Sequence, residues 1–198
     1  MTISTRPSAI VLLSLFLGGC ASIGAATPPD TYEIAAPRAL ERISGRTGAQ
    51  ILIPEPQAIK TLDSNQIVVK PTPFTVEYLE NSQWSDRLPR MVQLRFVQAF
   101  ENTGRVAAVG VPGQGLAIDY QVVMEIRKFE VDIEGGTDAV IEIAVKALND
   151  RNGTVRATRV FSARVPVSGT GNPAFVAALN GAFDRVTGEI VTWTLGLV

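Results

Sequence analysis

The spacing of apolar residues along the chain changes three times after an initial continuous run, and each change marks a change of predicted element. In residues 31–35, Tyr32 and Ile34 alternate with polar neighbours, which predicts a short strand ended by Pro37. Residues 38–48 are polar and glycine-bearing and predict a loop. Ile51, Leu52 and Ile53 form a compact apolar run stopped by Pro54-Glu55-Pro56, as in a buried strand. Ile67 and Val69 alternate through residues 66–70, closed by Pro71-Thr72-Pro73, and Leu62-Asp63-Ser64-Asn65 ahead of them has turn chemistry. Residues 74–79 alternate again and set Phe74, Val76 and Tyr78 on one face.

At Ser85 the period lengthens. Leu88, Met91, Val92, Phe96, Ala99 and Phe100 fall three and four apart, on one helix face. Leu94 and Val97 widen that stripe, so most of the helix is expected to be buried. Ser85 or Asp86 is the expected N-cap, Pro89 suits the first turn, and Gly104 supplies the left-handed C-terminal residue. Trp84 is expected to pack on the first turn and Arg87 to be solvated.

The period of two then returns. Residues 106–109 predict a short strand, and the glycines of 112–115 lack the order of a phosphate-binding loop. Residues 119–132 predict a long strand whose inward set changes phase: Tyr120, Val122, Met124 and Ile126 share one parity, Phe129, Val131 and Ile133 the other. A bulge near Arg127-Lys128 reconciles them. Ile141, Ile143, Val145 and Ala147 alternate next, Asp150-Arg151-Asn152-Gly153 makes a hairpin turn, and residues 154–167 return as a strand. Asn172 as N-cap and Pro173 at the first helical position open a last helix. Its stripe is Val176, Leu179, Phe183, Val186, Ile190, Trp193 and Leu197. A coiled-coil seam shares that spacing, but Gly181, Gly188 and few flanking charge pairs favour packing on a sheet. The expected fold is therefore α/β: two layers, a mixed, largely antiparallel sheet, and two main helices on one face, in a single domain over residues 31–198.

Composition narrows the chemistry. The 198 residues contain no histidine, which removes the commonest general base and the commonest metal ligand. Basic and acidic residues number 18 and 19, a balance without the basic excess of a nucleic-acid surface. Glu130, Asp132, Glu134 and Asp138 lack the Asp-x-Asp-x-Asp-Gly order of a calcium loop and read as a solvated strand face and turn. A hydrolase would need Ser/Lys or paired-carboxylate chemistry, and neither is located. No catalytic residue, metal or cofactor is predicted.

The only cysteine stands at the end of a distinctive stretch. Arg6 precedes an apolar run from Ala9 to Leu17, followed by Gly18, Gly19 and Cys20, the layout of a secretory signal. The run is shorter than the about 20 residues a bilayer-spanning helix needs, so a transmembrane anchor fits less well. Leu17-Gly18-Gly19-Cys20 resembles the lipobox of bacterial lipoproteins. That resemblance implies a signal peptide over residues 1–19, cleavage between Gly19 and Cys20, and acyl chains such as palmitate on Cys20. The alternative is an ordinary cleaved signal with an incidental cysteine. Residues 20–30, with Thr27-Pro28-Pro29, read as a flexible tether.

Longer stretches carry a second resemblance. Tyr32-Glu33-Ile34, Ile51 to Pro56 and Leu62 to Val69 are followed by Tyr78, then Trp84-Ser85-Asp86-Arg87-Leu88-Pro89 and Glu101-Asn102-Thr103-Gly104. Asp119-Tyr120-Gln121, Phe129-Glu130-Val131 and Trp193 continue the series. Together they resemble the ABC-type transport auxiliary lipoprotein family, the PqiC-like proteins. The resemblance implies a mixed α/β domain working with an ABC permease, its ATPase and an MCE-domain protein to move phospholipids or other lipids across the periplasm. It also implies attachment to the inner leaflet of the outer membrane, and is compatible with a homo-oligomer. Ala21, where an inner-membrane retention signal would place aspartate, agrees with the outer membrane. The expected role is a non-catalytic, anchored component; the alternative is a lipid-binding shuttle or chaperone that holds acyl chains between helices and sheet. Trp84, Asp86 and Arg87 are the candidate partner surface, since aromatic and arginine side chains often anchor interfaces. Packing, capping and solvation at a helix start are the competing account of the same three residues.

Overall fold

The structure, a computed structural model, describes residues 27–35 and 45–198. The signal segment 1–19, with Gly19, the lipidation candidate Cys20, most of the 20–30 tether and most of the 38–48 loop lie outside the described residues. Elements follow in the order β1 (Asp30–Tyr32), β2 (Gln50–Leu52), β3 (Gln57–Ala58), β4 (Gln66–Thr72), β5 (Thr75–Trp84), α1 (Leu88–Thr103), β6 (Ala108–Gly110), β7 (Tyr120–Asp132), β8 (Asp138–Asn149), β9 (Thr154–Pro166) and α2 (Asn172–Leu195).

The long strand β7 is the spine of the sheet. On one edge it pairs antiparallel with β8 along its whole length, and β8 pairs antiparallel with β9. On its other edge three short strands follow one another parallel to it: β2 at Tyr120–Gln121, β3 at Glu125–Ile126 and β4 at Glu130–Asp132. Beyond them, β6 lies parallel to β2, β5 antiparallel to β4, and β1 parallel to β5. Parallel neighbours need a crossover, and α1 with β6 provides it between the 50–72 pass and β7. Five of the eight strand pairings are thus parallel, and the sheet is mixed rather than largely antiparallel. Period-two alternation identifies strands but says nothing of their direction, which is why the expectation erred.

The phase change in β7 has the expected cause: the β7–β8 register shifts between Ile126 and Lys128, so Arg127 is the extra residue. The turn after Asn149 joins β8 to β9, with Gly153 at φ 71°. Gly104 closes α1 at φ 59°. Other expectations are corrected. Strand β5 runs through Trp84, so Trp84 packs from a strand, its ring edge-on to Phe129. Helix α1 begins at Leu88 behind Arg87, with no side-chain cap from Ser85 or Asp86. The Leu88 N–H is instead taken by the Ser64 carbonyl at 2.9 Å. Gly171, at φ 77°, precedes α2, and Asn172 donates its side-chain amide to the Glu80 carbonyl at 2.9 Å and to Ser82 Oγ at 2.7 Å. The amide of asparagine can donate as readily as its carbonyl accepts, and here it ties the helix start to β5. Leu94 is 40% exposed, narrowing the buried stripe of α1.

Alternation sends Val122, Met124, Ile126, Phe129 and Val131 of β7 and Ile141, Ile143 and Val145 of β8 into the core. There the ring of Phe129 meets Trp84 edge-on at 5.9 Å and Phe183 of α2 at 5.9 Å, while Phe183 meets Phe96 of α1 at 5.7 Å. These four rings join β5, β7, α1 and α2, and such pairs contribute about 0.5–1.5 kcal/mol each beyond their buried area. Gln93 is a buried polar side chain of α1, paired through Nε2 with the Ile53 carbonyl at 2.8 Å.

Candidate functional site

The three residues expected to face a partner part company. Trp84 ends β5 at 2% exposure, its ring inside the core against Phe129, so it presents nothing to a partner. Asp86 and Arg87 stand on the surface just beyond it, and the Asp86 carboxylate accepts the Arg87 backbone N–H at 2.7 Å. The Arg87 guanidinium bridges two carboxylates, donating from Nε to Asp63 Oδ1 at 2.8 Å, from Nη2 to the same oxygen, and pairing with Glu55 at 3.0 Å. The hydrogen bond to Asp63 and then the charge of Glu55 hold the guanidinium above its ordinary value. Arg87 therefore clamps the segments before and after β3 to the start of α1.

The side of the sheet opposite the helices has a different make-up. Arg164 of β9 donates to Asp132 of β7 at 2.9 Å and to Asp138 of β8 at 2.8 Å, spanning three strands. Arg127, on the bulge, pairs with Glu125 at 3.1 Å and reaches Glu142 at 3.9 Å. The hydrogen bond from Arg164, and after it the Glu134 backbone N–H, hold the Asp132 carboxyl below its ordinary value. Glu130 moves the other way: partial burial pushes its carboxyl up, against the opposing charges of Lys70 and Lys128. It lines an open cavity of about 410 Å³ with Ile59, Val68, Lys70 and Val76. Of the four acidic residues weighed for calcium, two are thus arginine-bound. Among the described residues no group of three or more Cys, Asp or Glu is placed to hold a metal ion.

Beside this face stand apolar side chains left in water: Ile59 at 65% exposure, Phe74 at 95%, Val76 and Tyr78 at 38% each. Val76 and Tyr78 share the helix-free side, as their alternation requires, whereas Phe74 precedes β5 and lies in the turn, off the strand face expected for it. Phe74 caps the turn between β4 and β5. Sequence reading put it on a strand face; the preceding Pro71-Thr72-Pro73 was the available signal that a turn, not a core strand, follows. No helix among the described residues is long and apolar enough to cross a membrane. The arrangement is a charged, partly apolar surface on the helix-free side of the sheet.

Comparison with known proteins adds to this geometry. Residues 32–191 match a protein family described as the ABC-type transport auxiliary lipoprotein component. An uncharacterized protein of Bradyrhizobium diazoefficiens is 30% identical over 176 residues, which cover 87% of this chain and 46% of that protein. The chain thus spans a little under half the length of that relative. Among solved structures, a protein of Xanthomonas campestris from a family designated DUF330 is 31% identical, with TM-score 0.78, over 84% of this chain and 95% of that one. A hypothetical protein of Chlamydia trachomatis shares the fold alone, at 10% identity and TM-score 0.54, over 76% of this chain and 98% of that one.

Proposed function

The chain belongs to the family of ABC-type transport auxiliary lipoprotein components, and from that premise we propose that it is a non-catalytic, lipid-anchored component of an MCE/ABC-type lipid transport system, held at the periplasmic face of the outer membrane through Cys20. The observation that carries the reading is the family match over 32–191, which takes in nearly every element of the fold. Its partners are then an MCE-domain protein and the associated permease and ATPase, and its cargo system moves phospholipid. A charged sheet face free of helices supports an adaptor, because paired charges set the orientation and specificity of a protein contact. Asp86 and Arg87 stay within the proposed partner surface. Assembly into a homo-oligomer is part of the same proposal.

The shuttle alternative needs room for acyl chains between helices and sheet. Trp84, Phe96, Phe129 and Phe183 fill that layer with ring-to-ring contacts, which favours the adaptor. The deciding experiment compares the wild-type chain with an exported Cys20→Ala variant by membrane fractionation and by crosslinking to the MCE-domain protein. The proposal expects the variant to leave the membrane fraction and its crosslinks to fall sharply. Unchanged membrane retention and crosslinking would overturn it, and phospholipid copurifying with the soluble variant would restore the shuttle.

A further inference from the structure

Strands β4 and β5 meet in a turn that pairs Thr72 with Thr75. Thr72 organises it: its Oγ1 accepts the Phe74 N–H at 3.3 Å and the Thr75 N–H at 3.1 Å, and donates to Thr75 Oγ1 at 2.8 Å. Lys70 Nζ donates to the Pro73 carbonyl at 3.1 Å, and Pro73 fixes its own backbone angle. A turn held this way puts its one large side chain, Phe74, almost wholly into water. A ring presented by a rigid turn loses little conformational freedom when it docks.

The same end of the sheet carries further apolar surface. Lys70 lies opposite Asp132, so the β7–β8 turn sits beside the hairpin tip, its Ile133 exposed and donating its N–H to the Lys70 carbonyl at 3.0 Å. The opposite end of the β7–β8–β9 sheet is closed by Asp150-Arg151-Asn152-Gly153, all exposed and polar or small.

The direction of β1 shows from which end the preceding chain arrives. Asp30 lies opposite Ser82 and Tyr32 opposite Trp84, parallel to β5, and β5 runs away from the tip. The chain therefore comes into β1 from the tip end. From Ser82 back to Thr75 is at most roughly 23 Å of strand, less where the β4–β5 register shifts between Gln66 and Val68. The ten residues from Cys20 to Pro29 span at most about 33–36 Å. That length is enough to bring Cys20 level with Phe74.

We propose that the β4–β5 tip is a second membrane contact, in which Phe74 sits in the interfacial layer of the lipid leaflet that holds acylated Cys20, with Ile133 beside it. The proposal rests on the reading of Cys20 as the lipidation site. The contact adds orientation rather than attachment: it sets the tilt of the domain, and with it the direction in which the helix-free face looks.

The test uses the full lipidated chain in vesicles of phosphatidylethanolamine and phosphatidylglycerol, a fraction of them brominated along the acyl chains. Phe74→Trp is compared with Val155→Trp, an exposed position beside the opposite turn, over the background of Trp84 and Trp193. With the ring inserted ~5–10 Å, quenching at position 74 is expected to exceed that at 155 more than about twofold, with a blue-shifted emission. Vesicle-bound protein in which the two positions are quenched alike overturns the proposal. So does an emission at 74 that stays solvent-like on vesicles and shifts only when the MCE-domain protein is added, which would give the tip to a protein partner. A chain that fails to float with vesicles refutes the Cys20 reading, and the lipid surface required here falls with it.

Discussion

On the helix side of β7 and β8, the residues Val122, Met124, Phe129, Ile141, Ile143 and Val145 are buried almost completely under α1 and α2. One position along the same strands, on the other side, stand Glu125, Lys128, Glu130, Asp132 and Glu142, tied in part to Arg127 and Arg164. Both faces come from one alternating pattern, yet they meet different demands. The covered face supplies the apolar burial that holds the fold. The other spends the remaining positions on charge pairs and on apolar groups that stay exposed, at little benefit to stability.

Substitutions can break this contrast. The largest effect is expected for Phe129→Ala, which opens a cavity where three rings meet and should lower the unfolding free energy by about 3–5 kcal/mol in urea denaturation. A cost below that of surface substitutions would mean that the helix side does not carry the fold. Gln93→Leu keeps the side-chain volume but strands the Ile53 carbonyl, and should cost about 1–3 kcal/mol by the same measurement. Gly104→Ala forces a side chain into the left-handed region at the end of α1, for about 1 kcal/mol.

The helix-free face should answer more weakly. Arg164→Ala, though it removes two ion pairs, is expected to cost no more than about 1 kcal/mol, because the pairs are solvent-exposed. A loss as large as that at Phe129 would erase the distinction between the faces. The smallest effect sharpens it through pH. Asp132 has a lowered pKa, so the stability it adds is present above the ordinary aspartate value of 3.8 and is lost as pH falls through the lower, folded value. Glu130 has a raised pKa, so its charged form costs stability at neutral pH and that cost fades as pH falls toward 4.5. Glu130→Gln should therefore be slightly more stable than wild type at neutral pH and lose that advantage on acidification, in thermal melts across the range.

Much of the fold was legible because it rests on periodicity. The bulge at Arg127 showed in the parity switch between Ile126 and Phe129, and both helices in their spacing of three and four. Strand direction was not legible, since alternation is the same for parallel and antiparallel neighbours; nor was β3, two residues long and without apolar contrast. The N-caps were misplaced because Ser85, Asp86 and Asn172 all carry capping chemistry, and only tertiary contacts decide where that chemistry is used. At the candidate surface, Arg87 was expected to be solvated, but its partners Glu55 and Asp63 lie far behind it in the chain. For Phe74, Pro71-Thr72-Pro73 marks the end of β4 in the sequence, but not that the Thr72 hydroxyl and Lys70 hold residues 73 and 74 in the turn itself.

The pairing of β7 with three successive short strands also dictates an order of assembly. Ile51 must find Tyr120, and Val68 must find Glu130, partners more than sixty positions later in the chain, whereas β8 and β9 need only close a tight turn. Closing long loops before any contact rewards them is slow, so β7, β8 and β9 form the early nucleus and β2, β3 and β4 join afterwards. A chain made N-terminus first thus holds β2, β3 and β4 without their partner until β7 follows, and the sheet is complete only once residue 166 is free.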